Sequence, residues 1–344
     1  MNYIIKQKPK DFIVKEVPNK IFNKINGKYL IYSLKKINRN TEDCIQHLSR
    51  TLKVPRKFLG FAGTKDHNAI TEQYISVFNV QNLKSKIENI KGLENFSLEF
   101  VGYLDNPLSL GDLAANKFEI TIRALDKKVN IENPHSIINY FDEQRFSKNN
   151  HIIGKAIIKK DFENAVEELK KQNQTNNELI KTYKQDYIRI LRLVPKKTLK
   201  FYVHAYQSYL FNELCKKIII DDKINHFKTN YVLGELFFAT KEPKNYSLPI
   251  IGFGSEIQEK NSLVFSLLKK EDIDQRDFII KQIPELSSFG TQRDFVAKVI
   301  DFSCTESEDD EFNKDKFKVK ISFELSKGSY ATIVVKKLFN FPKT

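Results

Sequence analysis

The chain has 344 residues, with 57 Lys and Arg against 43 Asp and Glu, a formal net charge of +14. That length is about two average domains, or one domain carrying a large insertion, and 41% hydrophobic residues argue for a folded core and against a mostly disordered chain. Cys44, Cys215 and Cys304 are far apart and form no CxxC pair, which excludes a disulfide scaffold and a Cys-based zinc site. No stretch approaches the roughly 18 apolar residues of a membrane span, and the N-terminus lacks the apolar core of a signal peptide. These features predict a reduced, soluble, cytoplasmic protein.

In chain order, residues 11–17 (DFIVKEV) and 28–36 (KYLIYSLKK) read as short strands. Residues 41–52 read as a helix: Thr41 is the expected N-cap, Glu42 and Asp43 sit in the first turn, and Ile45, Leu48 and Leu52 share one face. Residues 73–80 and 117–124 look like strands, the second with Phe118, Ile120 and Ile122 on one side. Residues 161–183 are helical in composition and heavily charged, and 204–219 form a second helix with Tyr206, Leu210 and Leu214 on a stripe. Residues 231–256 are rich in Gly, Pro and aromatics. The acidic run Thr305–Glu311 reads as a solvated loop between two late strands and a poor nucleic-acid contact. Residues 317–325 alternate at Phe317, Val319, Ile321, Phe323 and Leu325, followed by a KGS turn and TIVVKKLF. Strand-rich outer thirds around a helix-richer centre predict an α+β domain with an inserted second domain.

The basic excess is local. Residues 1–60 hold 11 Lys and 3 Arg against Asp11, Glu16, Glu42 and Asp43, a net of +10. Such a surplus suggests a polyanionic partner, most commonly nucleic acid. A coding bias is the competing explanation, since 48 of the 57 cations are Lys and the chain is rich in Ile, Asn and Phe.

Several chemistries are disfavoured. Gly60–Lys65 (GFAGTK) lacks P-loop spacing, Gly252 and Gly254 lack the third glycine of a dinucleotide fingerprint, and no GxSxG elbow occurs. The six histidines form no metal-binding pair, so neither a cofactor nor a metal is expected. Four polar–aromatic segments remain. In Phe61–Ser76 (FAGTKDHNAITEQYIS), Ala62 and Gly63 would allow close approach of another chain, and an Asp at such a turn can act as nucleophile or base. On composition alone, an ordinary hairpin turn explains that segment better. In Asn139–Phe146 (NYFDEQRF), an extended backbone would put Asn139 and Phe141 on one side and Tyr140 on the other. An amide beside an aromatic face suits a base pocket, and a helix end with core aromatics fits equally. The tyrosines of His204–Asn212 (HAYQSYLFN) fit helix packing. Lys327–Thr332 (KGSYAT) presents Tyr330 at a tight turn, as a base-stacking ring or as part of a plain hairpin.

Together and in this order, these segments closely resemble the TruD family of RNA pseudouridine synthases. FAGTKDHNAITEQ is similar to the family's AG-x-KD-x-x-A-x-T-x-Q motif, NYFDEQRF to NYFG-x-QRFG, and FELSKGSYAT to the closing [LF]P-x-GS[FY]AT pattern. SYLFN also matches, as does the opening Lys6 followed by Asp11–Glu16 (DFIVKE). The likeness runs from about Lys6 to about Phe339 and is sparse between roughly 161 and 285. The resemblance implies a pseudouridine-synthase α+β catalytic domain with a mixed or antiparallel sheet. A large TruD-specific α/β domain would be inserted opposite it, with an RNA cleft between. Residues 1–160 and 289–344 would form the catalytic domain and 161–288 the insertion. By the same resemblance Asp66 is the catalytic aspartate and Lys6 pairs with it. Phe12, Asn139 and Tyr330 line the base pocket, and Phe141 stacks on the target uracil. The implied substrate is tRNA, at uridine 13. No cofactor, metal or membrane is implied, and a cytoplasmic monomer is expected. Asp142 stands where the family usually has Gly, Ser147–His151 (SKNNH) replaces a glycine-rich continuation, and Ser326 replaces the usual Pro; these bear on loop geometry and RNA selectivity.

The leading alternative is a non-catalytic RNA-binding or chaperone protein of the same fold. Retention of Asp66, Lys6 and Asn139 together argues against it, because binding alone does not require the aspartate. An RNA methyltransferase would need a cofactor site that the sequence lacks.

Overall fold

The computed structural model describes residues 2–80, 82–90, 92–147, 149–257 and 261–340. Its first elements are β1 (Phe12–Pro18), β2 (Tyr29–Ile37), α1 (Thr41–Leu52), β3 (Leu59–Phe61), β4 (Ile70–Phe78), α2 (Leu83–Glu88), β5 (Phe96–Leu104) and β6 (Leu113–Leu125). Then come β7 (Ser136–Ile138), α3 (Glu143–Phe146), α4 (Asn150–Ile158), α5 (Phe162–Lys171), α6 (Asn177–Thr182), α7 (Tyr187–Leu193) and α8 (Lys196–Asp221). The chain continues through β8 (His226–Tyr231), β9 (Gly234–Ala239), β10 (Ser247–Ile250), α9 (Asn261–Glu271), β11 (Thr291–Asp294) and β12 (Val296–Lys298). It ends with β13 (Ile300–Cys304), β14 (Glu308–Asp309), β15 (Phe317–Ser326) and α10 (Ala331–Phe339). The chain divides into two compact units, residues 1–135 with 298–331, and residues 136–297 with 332–344. The stretch 161–288 lies wholly within the second.

The first unit is built on a mixed sheet in the order β13-β15-β6-β1-β4-β2-β5, with β3 added beside β4 and β14 beside β15. Only β1 and β4 pair in parallel; the other pairings along this path are antiparallel. On β2 one face carries Leu30, Tyr32 and Leu34, opposite Val77, Ile75 and Gln73 of β4, while Ile31 and Ser33 are buried on the other. Cys44, Ile45, Leu48 and Leu52 of α1, with Leu83 and Ile87 of α2, cover this part. Toward one end of the strands the same face turns polar. Lys36 follows Leu34, facing Thr71, and Gln73 and Glu16 are buried beside them. Further across, Phe12, Phe118 and Phe323 form an aromatic row, with ring centroids 6.2 and 5.6 Å apart.

Two local expectations are corrected. Thr41 is not the N-cap of α1; Asn40 holds that position without a side-chain cap bond, and the Thr41 hydroxyl turns inward to Gln73. The acidic run is exposed as expected at Glu306, Glu308, Asp309 and Glu311, but not at Asp310. Glu308 and Asp309 pair with β15, and buried Asp310 accepts from the Arg123 guanidinium at 2.8 Å and from the Ala124 N–H at 2.9 Å. Arg123 also binds Asp11 at 2.9 Å and Glu311 at 3.1 Å. These bonds, Asp11's first, outweigh the desolvation that works against the cation and hold its pKa above the ordinary value.

The second unit is helical with three two-stranded ladders, β8–β9, β10–β11 and β7–β12. Residues 161–183 form two helices rather than one. Asn173 adopts a left-handed backbone (φ 57), and the Asn176 side chain accepts from the Leu179 N–H to cap α6. The helix expected at 204–219 runs from Lys196, just after Pro195, to Asp221. Tyr206, Leu210 and Leu214 are fully buried on it. Helix α4 approaches α8 so closely that a Cβ on Gly154 would lie 2.1 Å from the Tyr202 carbonyl oxygen, which only glycine permits. TIVVKKLF is helical, within α10.

Candidate active site

Asp66 lies on the loop 62–69 that joins the antiparallel pair β3 and β4. Distant segments of the first unit hold this loop. Gly111 N–H donates to the Ala62 carbonyl at 2.8 Å. Gln73 Nε2 donates to the Gly63 carbonyl at 2.9 Å. Thr41 Oγ1 accepts from the Lys65 N–H at 3.1 Å and donates to Gln73 Oε1 at 2.8 Å. Lys65 Nζ lies 2.6 Å from Glu16 Oε2, in a pair nearly closed to solvent. Lys36 Nζ donates to the Asp66 carbonyl at 2.7 Å and to the Lys65 carbonyl at 3.4 Å. The main chain is thereby fixed from below, while the Asp66 side chain remains 28% exposed.

Lys6 reaches this carboxylate. Its Nζ lies 2.9 Å from Asp66 Oδ1 and 4.0 Å from the centre of the Phe12 ring. Lys6 adopts a left-handed backbone (φ 61), a costly conformation for a non-glycine residue that commonly accompanies functional placement. The segment is anchored on both sides. Ile4 and Arg123 exchange two main-chain bonds of 2.9 Å, and the Asp11 carboxylate accepts from the Lys8 N–H at 2.7 Å and from Arg123. Phe12 is buried at the head of β1. Tyr330 is half-buried between β15 and α10. Its turn is linked to the Asp66 loop through Lys327 Nζ, which donates to the Gly111 carbonyl at 3.1 Å. Thus Lys6, Phe12 and Asp66 come together, and Tyr330 belongs to the same compact unit.

Asn139 and Phe141 lie in the second unit, on an extended stretch between β7 and α3. Arg293 governs both. Its Nη2 donates to Asn139 Oδ1 at 2.6 Å and its Nε to the Asn139 carbonyl at 3.0 Å. Its guanidinium carbon lies 4.2 Å from the centre of the Phe141 ring. Asn139 Nδ2 donates in turn to the Asp294 carbonyl at 3.1 Å, which fixes the amide's orientation. Asn212 clasps the Phe141 main chain, accepting its N–H at 2.9 Å and donating to its carbonyl at 2.8 Å. The Phe141 ring is 7% exposed and packs edge-on against Phe211. Asp142 is also buried, accepting from the Thr332 hydroxyl and from Lys336 Nζ at 2.7 Å.

Sequence reasoning assigned no role to Lys36, Thr41, Glu16, Lys65 or Gln73 at this loop, nor to Arg293 and Asn212. The signal for Lys36 was present: a lysine in phase with Leu30, Tyr32 and Leu34 on a strand that buries that face. Arg293 carried no comparable sign. Among the described residues, no cluster of His, Cys, Asp and Glu could hold a metal ion, and no helix is long and apolar enough to cross a membrane.

The model of the TruD family, tRNA pseudouridine synthase D, matches residues 1–182 and 166–338. The chain belongs to the TruD family. A curated relative in Methanococcus maripaludis, named "Probable tRNA pseudouridine synthase D 1", is 32% identical, over 97% of this chain and 99% of its own. The tRNA pseudouridine synthase D of Aquifex aeolicus is 31% identical, over 98% of each chain. The crystal structure of a Methanosarcina mazei protein named "Putative tRNA pseudouridine synthase D (TruD)" aligns with a TM-score of 0.66 at 27% identity, covering 98% of this chain and 93% of that one. The α+β architecture with its mixed sheet is therefore the pseudouridine-synthase fold with a TruD-specific domain, and the family's chemistry is pseudouridine formation in tRNA.

Proposed function

We propose that this TruD member isomerises uridine 13 of tRNA to pseudouridine with Asp66 as the catalytic carboxylate. In the net reaction the N1–C1′ bond breaks, the held uracil turns, C5 bonds to C1′, and the hydrogen lost from C5 is balanced by one gained at N1. No oxidant, reductant or energy source enters. The observation that carries the reading is the Lys6–Asp66 pair, 2.9 Å apart on a carboxylate that remains open to solvent. The Lys6 ammonium donates to a carboxylate of the kind that can act as nucleophile or base. Phe12 and Tyr330 flank the base, and Asn139 reads its edge. The base must leave its stack, at a cost of a few kcal/mol, which phosphate contacts and stacking offset. The enzyme works as a monomer in the cytoplasm, with 161–288 as the segment inserted into the catalytic domain.

Phe141 would stack on the uracil in this scheme. Its burial and the guanidinium against its ring favour a second reading, in which it packs and orders the Asn139 segment.

The test is chemical labelling of pseudouridine in unmodified tRNA after treatment with purified protein, with the stop position mapped by primer extension. Wild type should give a stop at position 13. Asp66→Asn should give none while binding tRNA within a few-fold of wild type. Normal turnover by that variant removes Asp66 from the chemistry, and labelling elsewhere removes the position 13 assignment.

A further inference from the structure

We propose that Lys36 is a positioning residue for Asp66, its side-chain amine holding the main chain of the loop so that the carboxylate is presented in one place. This rests on the reading of Asp66 as the catalytic group.

Lys36 is fully buried, with no exposed surface, on the face of β2 that otherwise carries Leu30, Tyr32 and Leu34. A buried ammonium is costly, and a Met or Leu would fill the same space without that cost. The usual compensation is a carboxylate, yet both hydrogen-bond partners of Lys36 are main-chain carbonyls, those of Asp66 at 2.7 Å and Lys65 at 3.4 Å. The charge is therefore spent at the two residues where the loop presents its carboxylate. The other contacts leave room for this role. Thr41 and Gln73 hold the residues before Asp66, and Lys6 holds its side chain. Lys36 supplies the main-chain anchor at Asp66 itself.

The surroundings agree. The titratable groups facing Lys36 are Cys44 from α1 and Lys65 and Asp66 from the loop. The strands on either side place Thr71 and Phe96 opposite it, neither of which titrates in the accessible range. Burial is the largest influence and pulls the amine's pKa down to about 8, with Cys44 and Asp66 acting in the other direction. A group this poorly solvated depends on its two carbonyls, and they depend on it.

A displacement of about 1 Å in a reacting group can cost on the order of 10²-fold in rate. Lys36→Met keeps the stem and removes the donor. It should lower the single-turnover rate of pseudouridine formation by about 10- to 100-fold at equal folded fraction, with tRNA affinity within two-fold of wild type. Lys36→Gln, which keeps a shorter donor, should fall between the two and serves as the primary variant if the Met protein does not fold. Hydrogen exchange read on the same preparations should show faster exchange in residues 62–69, with β4 and α1 unchanged. Wild-type rates in both variants would overturn the inference. So would exchange that rises throughout the first unit, which would make Lys36 a general core residue. If wild type itself forms no pseudouridine, the functional reading fails separately. The exchange experiment then decides alone: unchanged protection of residues 62–69 overturns the anchor, and selective loss there upholds it.

Discussion

Replacing Thr41 separates two roles that a threonine at a helix start can play. As an N-cap its oxygen would serve a main-chain N–H of its own helix, and Ser, Asp or Asn would substitute well. Here its hydroxyl donates to the fully buried Gln73 Oε1 and accepts from the Lys65 N–H. Thr41→Val keeps the shape and strands both groups. Each lost partner costs about 1–3 kcal/mol, the lower end applying to the less buried Lys65 N–H, so about 2–4 kcal/mol is expected. For a unit of this size that is roughly a 5–10 °C fall in the melting transition. Thr41→Ser should stay near wild type. Thr41→Asp should be at least as harmful as Val, because a carboxylate cannot donate to Gln73 Oε1. Gln73 could turn its amide to meet it only by withdrawing Nε2 from the Gly63 carbonyl. Calorimetric melting of the three variants, with hydrogen exchange of residues 62–66, checks the order Ser, then Val and Asp. Tolerance of Asp would restore the capping role, and a cost below about 0.5 kcal/mol for Val would refute the network.

Lys36 also sets a pH dependence of stability. Its folded pKa lies near 8 against an ordinary 10.5, so between those values the unfolded chain binds more protons, and this group's contribution makes stability rise with pH by up to about 3 kcal/mol; Lys36→Met should flatten the difference in denaturant midpoint between pH 7 and 10. Phe141→Ala should cost about 3–5 kcal/mol in thermal melting if the ring is core. If instead the ring stacks on uracil, single-turnover rate should fall with little change in melting, and Phe141→Tyr should be tolerated. Asp142→Gly, the residue usual in the family, should destabilise the second unit by about 2 kcal/mol in calorimetry, because Lys336 then retains only Glu143. RNA affinity should fall steeply with salt, by about 0.7–0.9 in log–log slope per phosphate contact; a flat plot would assign the N-terminal lysines to coding bias.

The sequence pattern revealed strands and helices wherever one chain segment carried its own periodicity. The strands at 11–17, 28–36 and 317–325 differ from β1, β2 and β15 by about a residue at most ends, because alternation alone defines them. Composition could not reveal the break between α5 and α6, since the charged run is helical throughout and the decision rests on Asn173 and Asn176. Asp66 was marked by the family motif and not by its turn, which composition alone reads as an ordinary hairpin, and its support was hidden. Lys36, Thr41 and Gln73 each look ordinary in their own segment. They become one assembly only through the register that sets Leu34 against Gln73 and Lys36 against Thr71, and register is a property of the pair of strands. Arg293 was invisible for a related reason: it is more than 150 residues from Asn139, and nothing in GTQRDF marks its target.

The same limit explains the N-terminal charge. The local surplus of +10 was counted within residues 1–60, whereas several of its cations find carboxylates beyond that window: Lys6 with Asp66, Lys20 with Asp112, and Lys15 with Glu119. Lys36 is withdrawn from solvent altogether. A sequence window therefore overstates the field available to a polyanion. Charge also appears where the window predicted solvent, since Asp310 and Glu311 of the acidic run serve Arg123, the residue that pins both Asp11 and the Ile4 segment ahead of Lys6. The acidic run thus has a place in the candidate site: by ordering Arg123 it anchors the chain that delivers the Lys6 ammonium to Asp66. A charge count reads such residues as unpaired surface, whereas the sheet makes them part of the frame behind the Lys6–Asp66 pair.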